Sequence, residues 1–454
     1  MKNFIEKLRE IWSIPDLRTR ILITIGFLAV YRFGSWVILP GIDSEVVRGG
    51  SDDTGLLGIL NMFTGGAFFQ AGVFALGIMP YISASIIVQL LGFAVPYFQK
   101  LQKEGETGQK KTNQITRYIT IAITIVQGSA YLNYLKLSFG AAISPHIDPS
   151  IFWLANVIIL TSGTVFCMWL GERITDKGIG NGISLLITAG IIATLPPALI
   201  NEFYLKLSGV AGGLLSFVIE LALFFFVVLA CVALVQGVRR IQLQFASHMI
   251  GRVRVQSELG GARDYLPIKL NASGVMPIIF AQALMFVPGA IAQATGLESG
   301  ILLSLQDFKS IPYNIVFFFL VVVFTYVYTA LIVNPKQYAD HLKRQNAFIP
   351  GVKQGRDTEE YIDEITTRIT LPGSIALGLI SILPGVAAAT LTANDQFAIF
   401  YGGTSLLILV AVVLDTLQQI EGHLLMRRYD GLIKSGNVRG RNPEQVSVSK
   451  KVTT

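Results

Sequence analysis

The residues that could do chemistry in this chain are few and dispersed. The glycine-rich segment 177–182 (KGIGNG) lacks the G-x-x-x-x-G-K-[ST] order of a phosphate-binding loop, so a tight turn between helices is the favoured interpretation. The four histidines are scattered and the two cysteines lie within apolar runs. No pairing of a nucleophilic residue with a catalytic base is visible in the sequence. We therefore expect no enzyme activity, no catalytic residue, no metal ion and no cofactor.

Isoleucine pairs suggest another kind of chemistry, the exclusion of water and ions. Ile78 and Ile82 are four residues apart, as are Ile183 and Ile187, so each pair lies on one face of a helix. Such side chains at a constriction would leave little room for a hydrated ion. The alternative is that they face lipid or pack in an ordinary core, since apolar pairs are common in membrane spans.

Two short segments share the frame A-x-G-[I/V]-M-P-x-I. They are residues 75–82 and 272–279, and their alignment places Ile82 opposite Ile279. Because proline removes a backbone donor and clashes with the preceding turn, each segment should kink or break a helix. Paired broken helices in two halves of a membrane protein indicate a central pathway. Two unrelated kinked helices are the alternative.

The elements that position these residues are predicted to be membrane helices. The chain has 454 residues, of which 52% are hydrophobic and 14% charged, against roughly 25% charged in soluble proteins. A membrane-spanning helix needs about 20 mostly apolar residues. Ten runs meet this criterion: 21–39, 72–98, 115–137, 151–170, 182–200, 213–236, 270–293, 312–333, 369–390 and 398–418. The predicted fold is an all-α polytopic membrane protein with ten transmembrane helices.

Basic residues predict the orientation of these spans. Of the 36 Lys and Arg residues, 31 lie in segments on one side of the membrane: 1–20, 99–117, 171–181, 237–269, 334–368 and 419–454. The positive-inside rule makes that side, with both termini, cytoplasmic. The repeat copies lie in the second and seventh spans and so cross in opposite directions. We expect two inverted halves, 21–212 and 213–418, with a polar link at 201–213.

Three ionisable residues fall inside the predicted spans, namely Arg32, Glu220 and Asp415. Intramembrane charges are functional candidates by default, and snorkelling or structural pairing is the alternative.

Residues 56–70 are apolar but too short to span. They predict a re-entrant or capping segment, or an interfacial loop.

The basic loops 237–269 and 334–368 are long for connectors. They predict docking to RNA phosphates or to an acidic protein, or else serve topology alone.

Ordered motifs cover nearly the whole chain. They are PGID (40–43), NMFTGG (61–66), ALGIMPYISASII (75–87), KEGETG (103–108), GIGNGIS (178–184), NAFIPG (346–351) and YGGTSLLI (401–408). In these motifs the chain resembles the SecY/Sec61-alpha family of protein-conducting channels. The resemblance implies an hourglass of two pseudo-symmetric halves in the bacterial inner membrane. It would open across the membrane for secreted chains and sideways for signal sequences and nascent membrane helices.

The resemblance also implies roles for individual residues. Residues 57–70 would form a plug that includes Asn61, Met62, Phe63, Thr64, Gly65 and Gly66. A pore ring would be formed by Ile78, Ile82, Ile183, Ile187, Ile279 and Ile408. A lateral gate between spans two and three and spans seven and eight would be held by Ser83, Ser85, Gln89 and Gln282. Ribosome or motor binding would fall to Arg239, Arg240, Lys353 and Arg356. Lys353 stands where the family usually has arginine, and it lacks the planar fork of that side chain.

The partners implied by the resemblance are the small membrane subunits SecE and SecG and the motor ATPase SecA. The ribosome with its RNA, signal peptides, nascent chains, SecDF, YidC and membrane lipids complete the set. A secondary small-molecule transporter is the alternative function, because such proteins also use inverted repeats and broken helices. The absence of charges at the predicted midplane and the large basic loops argue against it. A membrane-embedded enzyme is disfavoured by the missing catalytic constellation.

Overall fold

The computed structural model describes residues 11–434, except 51–54, 145–147, 210–212, 246–248, 251–252, 255–262, 283, 286–303, 306 and 393. The helices are α1 (Pro15–Gly34), α2 (Ser44–Gly50), α3 (Gly55–Phe63), α4 (Met79–Ala94), α5 (Pro96–Lys103), α6 (Glu106–Ser138), α7 (Pro149–Lys177), α8 (Gly182–Leu207), α9 (Gly213–Gln236), α10 (Ile311–Ile332), α11 (Pro335–Arg344), α12 (Arg356–Thr390), α13 (Asp395–Ala398) and α14 (Gly403–Lys434). Residues 276–282 are also helical.

Helical segments occur at all ten predicted membrane spans. Six of the described helices are long and apolar enough to cross a membrane, and they lie at spans four, five, six, eight, nine and ten. Parts of the predicted segments fall outside the described residues, namely 1–10 of the N-terminal segment, 286–293 of span seven and 435–454 of the C-terminal tail.

The two repeat segments adopt the same local structure. Gly77 and Gly274 both have positive φ, at 51° and 64°, which glycine tolerates because it has no Cβ. A helix begins just after each of them, at Met79 and at residue 276. Pro80 therefore lies in the first helical turn, where the missing N–H would be unpaired in any case. The segments start helices rather than kinking them.

Two predicted span boundaries were wrong. The second span was expected over 72–98, but residues 64–78 form turns and α4 ends before Val95. Val95 is extended because proline at position 96 disfavours helical geometry in the residue before it. The link 201–213 was expected to be polar and outside the helix. Instead α8 continues to Leu207, and the charged side chains that suggested a link are buried against its neighbours.

A small antiparallel sheet joins the two large loops on the predicted cytoplasmic side, a feature absent from the all-α prediction. Strand β1 (Val238–Phe245) pairs with β4 (Arg263–Lys269) from its own loop and with β5 (Ala347–Phe348) from the second loop. A separate hairpin pairs β2 (Met249–Ile250) with β3 (Val253–Arg254). Ile241 and Leu243 on β1 pack against Leu342 of α11 and Ile362 of α12. The two loops therefore form one folded unit.

The apolar core has three main parts. One cluster lies within the first five spans and includes Phe68, Tyr131 and Leu160. A second lies within the last five spans and includes Phe317 and Leu406. A third contains residues from both groups and lies where the groups meet. Helix α8 packs against α9, α13 and α14, so it carries much of the contact between the two groups.

Candidate functional site

An apolar cluster, called the waist below, lies where the two groups of spans meet. Ile187 and Ile408 are buried in one cluster, and Ile82, Ile183 and Ile279 pack against that cluster while partly buried. Ile78 belongs to the adjoining cluster, which shares Ile82 and Ile183. These side chains come from α4, α8, residues 276–282 and α14. The structure thus brings the six predicted ring residues into two contiguous clusters.

The segment predicted as a plug packs on this waist. Met62 and Phe63, at the end of α3, are buried in the same cluster as Ile187 and Ile408. The chain then turns sharply, with Gly65 and Gly66 at φ values of 67° and 90°. Apolar side chains of this segment therefore pack in the same cluster as the predicted ring residues Ile187 and Ile408.

Polar side chains of the plug form hydrogen bonds within its own turn. The Asn61 side chain accepts a hydrogen bond from the N–H of Phe69 at 3.2 Å. The Thr64 hydroxyl donates to the Asn61 carbonyl at 3.0 Å and accepts from the N–H of Phe68 at 3.2 Å. These bonds satisfy main-chain donors in a region where unpaired polar groups would be costly.

Two neighbours from other helices contact the plug turn. The Arg32 guanidinium of α1 donates to the carbonyl oxygen of Gly65 at 2.5 Å and stands over the Trp36 ring at 5.9 Å. Gly190 of α8 approaches the turn so closely that a Cβ there would lie 2.6 Å from the Phe63 carbonyl oxygen. Arg32, a candidate because of its charge, therefore contacts the plug directly.

An open chamber lies beside the plug on the predicted outer side. A cavity of about 320 Å³ is lined by plug residues that include Asn61, Met62, Gly66 and Gln70. Its lining also includes Thr194 and Asn201 of α8 and Gln396, Ile399 and Phe400 from the connection between α12 and α14. The apolar waist thus lies next to a partly polar space.

Two of the predicted gate residues make side-chain hydrogen bonds to neighbours in the described part of the chain. The Ser83 hydroxyl donates to the Met79 carbonyl of its own helix at 3.1 Å. Gln282 is buried and its side-chain oxygen accepts from the Thr404 hydroxyl of α14 at 3.3 Å. Ser85 is partly buried and Gln89 exposed on α4. The bonds of Ser83 and Gln282 therefore lie within their own groups of spans.

The four basic residues predicted for docking are exposed on the folded unit of the two loops. Arg239 and Arg240 lie on β1, opposite Ile268 and Pro267 of β4. Lys353 precedes α12, and Arg356 begins it and donates to Glu360 at 3.0 Å. Because β5 of the second loop pairs with β1 of the first, the two loops present their charges on one unit.

A buried group of charges was missed at the sequence level. Lys206, counted there as a loop residue, is fully buried with its Nζ 2.6 Å from Glu220 Oε1 and 3.8 Å from Glu202 Oε1. Spacing could have shown that Glu202 and Lys206 share a helical face, since they are four residues apart.

The third candidate charge, Asp415, accepts a hydrogen bond from the side chain of Gln419. The side-chain oxygen of Gln419 in turn accepts from the N–H of Gly180.

Comparison with known proteins identifies the family. The family model named SecY matches residues 72–417. The protein translocase subunit SecY of Streptomyces scabiei is 42% identical over 438 residues, covering 93% of this chain and 98% of its own. The same-named subunit of Chlamydia muridarum is 38% identical over 459 residues, covering 96% and 99%. The chain belongs to the SecY family. It is a multi-pass membrane protein.

Solved structures share the SecY fold. A structure described as a protein conducting channel matches with a TM-score of 0.58 at 17% identity, covering 89% of this chain and 91% of that one. Sec61 in the canine ribosome–channel complex matches with a TM-score of 0.52 at 16% identity, with the same coverage. The predicted fold of ten transmembrane helices in two halves, with a plug segment, is confirmed by its fit to this SecY fold.

Proposed function

We propose that this chain is a protein-conducting channel that moves unfolded secretory polypeptides across a membrane and releases membrane helices sideways into it. The observation that carries the proposal is the apolar waist covered by the plug, in a chain of the SecY family. A ring of branched aliphatic side chains can yield to any passing sequence without binding it. The same ring leaves an ion no replacement for its hydration shell.

In this proposal each group of residues has one task. Ile78, Ile82, Ile183, Ile187, Ile279 and Ile408 form the constriction. Residues 57–70 close it from the outer side at rest and move aside when a chain enters. Ser83, Ser85, Gln89 and Gln282 line the sideways exit, where modest interhelical bonds, about 0.6 to 2 kcal/mol each, would suit a gate that must open. The boundary at 212/213 divides the chain into two halves, and these halves separate from each other at the sideways exit.

The partners proposed for the channel are those that supply energy and substrates. We place the chain in the bacterial inner membrane with both termini in the cytoplasm, as the distribution of basic residues predicts. The unit formed by the two loops, with Arg239, Arg240, Lys353 and Arg356, would bind the ribosome or the SecA motor. SecE and SecG would complete the channel, while the chain itself performs no catalysis. One relative in fold is described in a ribosome–channel complex, which supports this assignment.

Crosslinking tests the proposed function directly. A photoreactive residue replaces Ile82 in the full chain, within membranes that contain a stalled secretory chain. A matched variant carries the same residue at Phe226, which is 65% exposed on α9. We expect the stalled chain to crosslink at position 82 and not at position 226. Equal crosslinking at the two positions, or none at position 82, would contradict the proposal.

A further inference from the structure

Lys206 lies at the centre of a buried network of charges at the outer ends of α8 and α9. Its ammonium is 2.6 Å from Glu220 of α9 and donates to the Leu391 carbonyl, at the end of α12, at 2.9 Å. Glu202 of α8 accepts from the N–H of Asn394 at 2.8 Å. The side chains of Glu202, Lys206 and Glu220 are at most 1% exposed. One network therefore joins three separate parts of the chain.

The partners of Lys206 lie on both sides of the boundary between the halves. Glu202 and Lys206 belong to the last span of the first half. Glu220, Leu391 and Asn394 belong to the second half. The Tyr401 hydroxyl also donates to the Glu220 carbonyl at 2.7 Å, which ties α9 to the segment before α14. The contacts of Lys206 with Glu220 and Leu391, and of Glu202 with Asn394, are thus contacts between the halves.

The cost of burying three charged side chains argues that stability is not the only reason for this arrangement. Removing charges from water is expensive, and a well-packed apolar replacement of a buried ion pair is often as stable as the pair or more so. In a membrane protein such charges are rare and mark functional places. What ionic and hydrogen-bonded contacts add over apolar packing is direction, since they fix which atoms meet. Here they fix α8 against α9 and against Leu391 and Asn394.

The position of the network links it to the plug chamber. Residues 391–394 lead directly into α13 and the segment that places Gln396, Ile399 and Phe400 on the chamber wall. Helix α8 provides Thr194 and Asn201 to the same chamber and Gly190 to the plug turn. Separation of α8 from Leu391 and Asn394 would therefore widen the chamber beside the plug.

We propose that Lys206 is a positioning residue that clamps the outer edges of the two halves together. Glu202, Glu220 and the Leu391 carbonyl hold its ammonium, so the halves stay joined along α8 and α9 and the plug chamber keeps its width. This inference rests on the proposed channel function.

The test measures separation at the clamp as well as leakage. The full chain, with Cys167→Ala and Cys231→Ala, carries spin labels at Tyr204→Cys and Leu215→Cys, whose native side chains are 64% and 74% exposed on α8 and α9. Distances and idle ion flux are recorded in lipid vesicles. Lys206→Met is compared with Lys206→Arg, which keeps the cation. Lys309→Met is the control, because Lys309 and Asp395 pair at 2.8 Å on the outer side but within the second half.

For Lys206→Met we expect a longer and broader label distance and a rise in idle ion flux of about tenfold or more, because one buried partner is lost from the network. Lys206→Arg should restore both towards the starting protein, and Lys309→Met should change neither. A triple variant, Glu202→Gln with Lys206→Met and Glu220→Gln, leaves no buried charge unpaired. This triple variant is measured in place of Lys206→Met if the single variant fails to fold. It should also lengthen the label distance.

Unchanged label distances in a folded Lys206→Met or triple variant would overturn the clamp. Loss of secretory-chain crosslinking in the parent protein would instead overturn the proposed function. The label distance reports on the clamp even in that case, so the two failures are distinguishable.

Discussion

Gly190 of α8 and Gly65 of the plug turn meet backbone to backbone. A Cβ on Gly65 would lie 3.0 Å from the Cα of Gly190, and a Cβ on Gly190 would lie 3.1 Å from the Gly65 nitrogen. In the proposed function the plug leaves and returns, so its contact surface on α8, here called the seat, should fit it closely without strong side-chain interactions. Two glycines provide such a seat because they allow close approach while offering little surface to bind.

Substitution of Gly190 should therefore loosen the plug. Gly190→Ala places a methyl group against the Phe63 carbonyl, and we expect a raised idle ion conductance in planar bilayers. Gly26→Ala in α1 is the matched control, because no atom lies within 4 Å of its added Cβ. Both changes favour the helix by about 1 kcal/mol, so a leak from Gly190→Ala alone would come from the clash. Equal conductance of the two variants would contradict the seat.

Loss of the Arg32 bond should release the plug turn from α1. A hydrogen bond from a charged group contributes about 1.5–3 kcal/mol, so Arg32→Gln should raise the idle open fraction by roughly tenfold to a hundredfold. Arg32→Lys keeps the charge and should leak less than Arg32→Gln. The measurement is single-channel open probability without substrate. An open probability for Arg32→Gln equal to that of the parent protein would show that the contact does not hold the plug.

Polar replacement of the waist should admit ions. Ile82→Ser with Ile279→Ser places two hydroxyl groups at the proposed constriction, where they can replace part of the hydration of an ion. We expect conductance in planar bilayers to exceed that of the parent protein. Ile158→Ser with Ile192→Ser is the control, since these side chains are 56% and 51% exposed on α7 and α8. Conductance unchanged in the first pair would remove Ile82 and Ile279 from the ring.

Charge reversal on β1 should weaken docking. Arg239→Glu with Arg240→Glu should reduce co-sedimentation with ribosomes and with SecA, and the loss should be greatest at low salt, where screening is weak. The control, Lys110→Glu with Lys111→Glu, changes the net charge equally on the exposed start of α6. If the two double variants lose binding equally, the effect belongs to overall charge and not to the folded loops.

The family and the ten spans could be predicted from the sequence because each depends on local pattern. Hydropathy over about 20 residues indicates a span whatever its neighbours are. The repeated A-x-G-x-M-P-x-I frame places Ile82 and Ile279 in equivalent positions, and both pack on the same cluster in the structure. The sheet of the two loops was missed although β1 alternates apolar and polar residues from Arg240 to Gln244. That period-two signal is short, and its partner β5 lies about a hundred residues away.

Sequence alone determined which residues are apolar, where helices can begin and which residues carry charge. Only the tertiary structure decided what those charges touch. Lys206 and Glu202 resemble ordinary loop residues at the end of a span, and Arg32 resembles an isolated charge, until distant segments bring Glu220, Asn394 and Gly65 against them. The reason is physical. Hydrophobicity and helix geometry act over a few residues, whereas an ion pair or a close glycine contact exists only when separate parts of the chain are packed together.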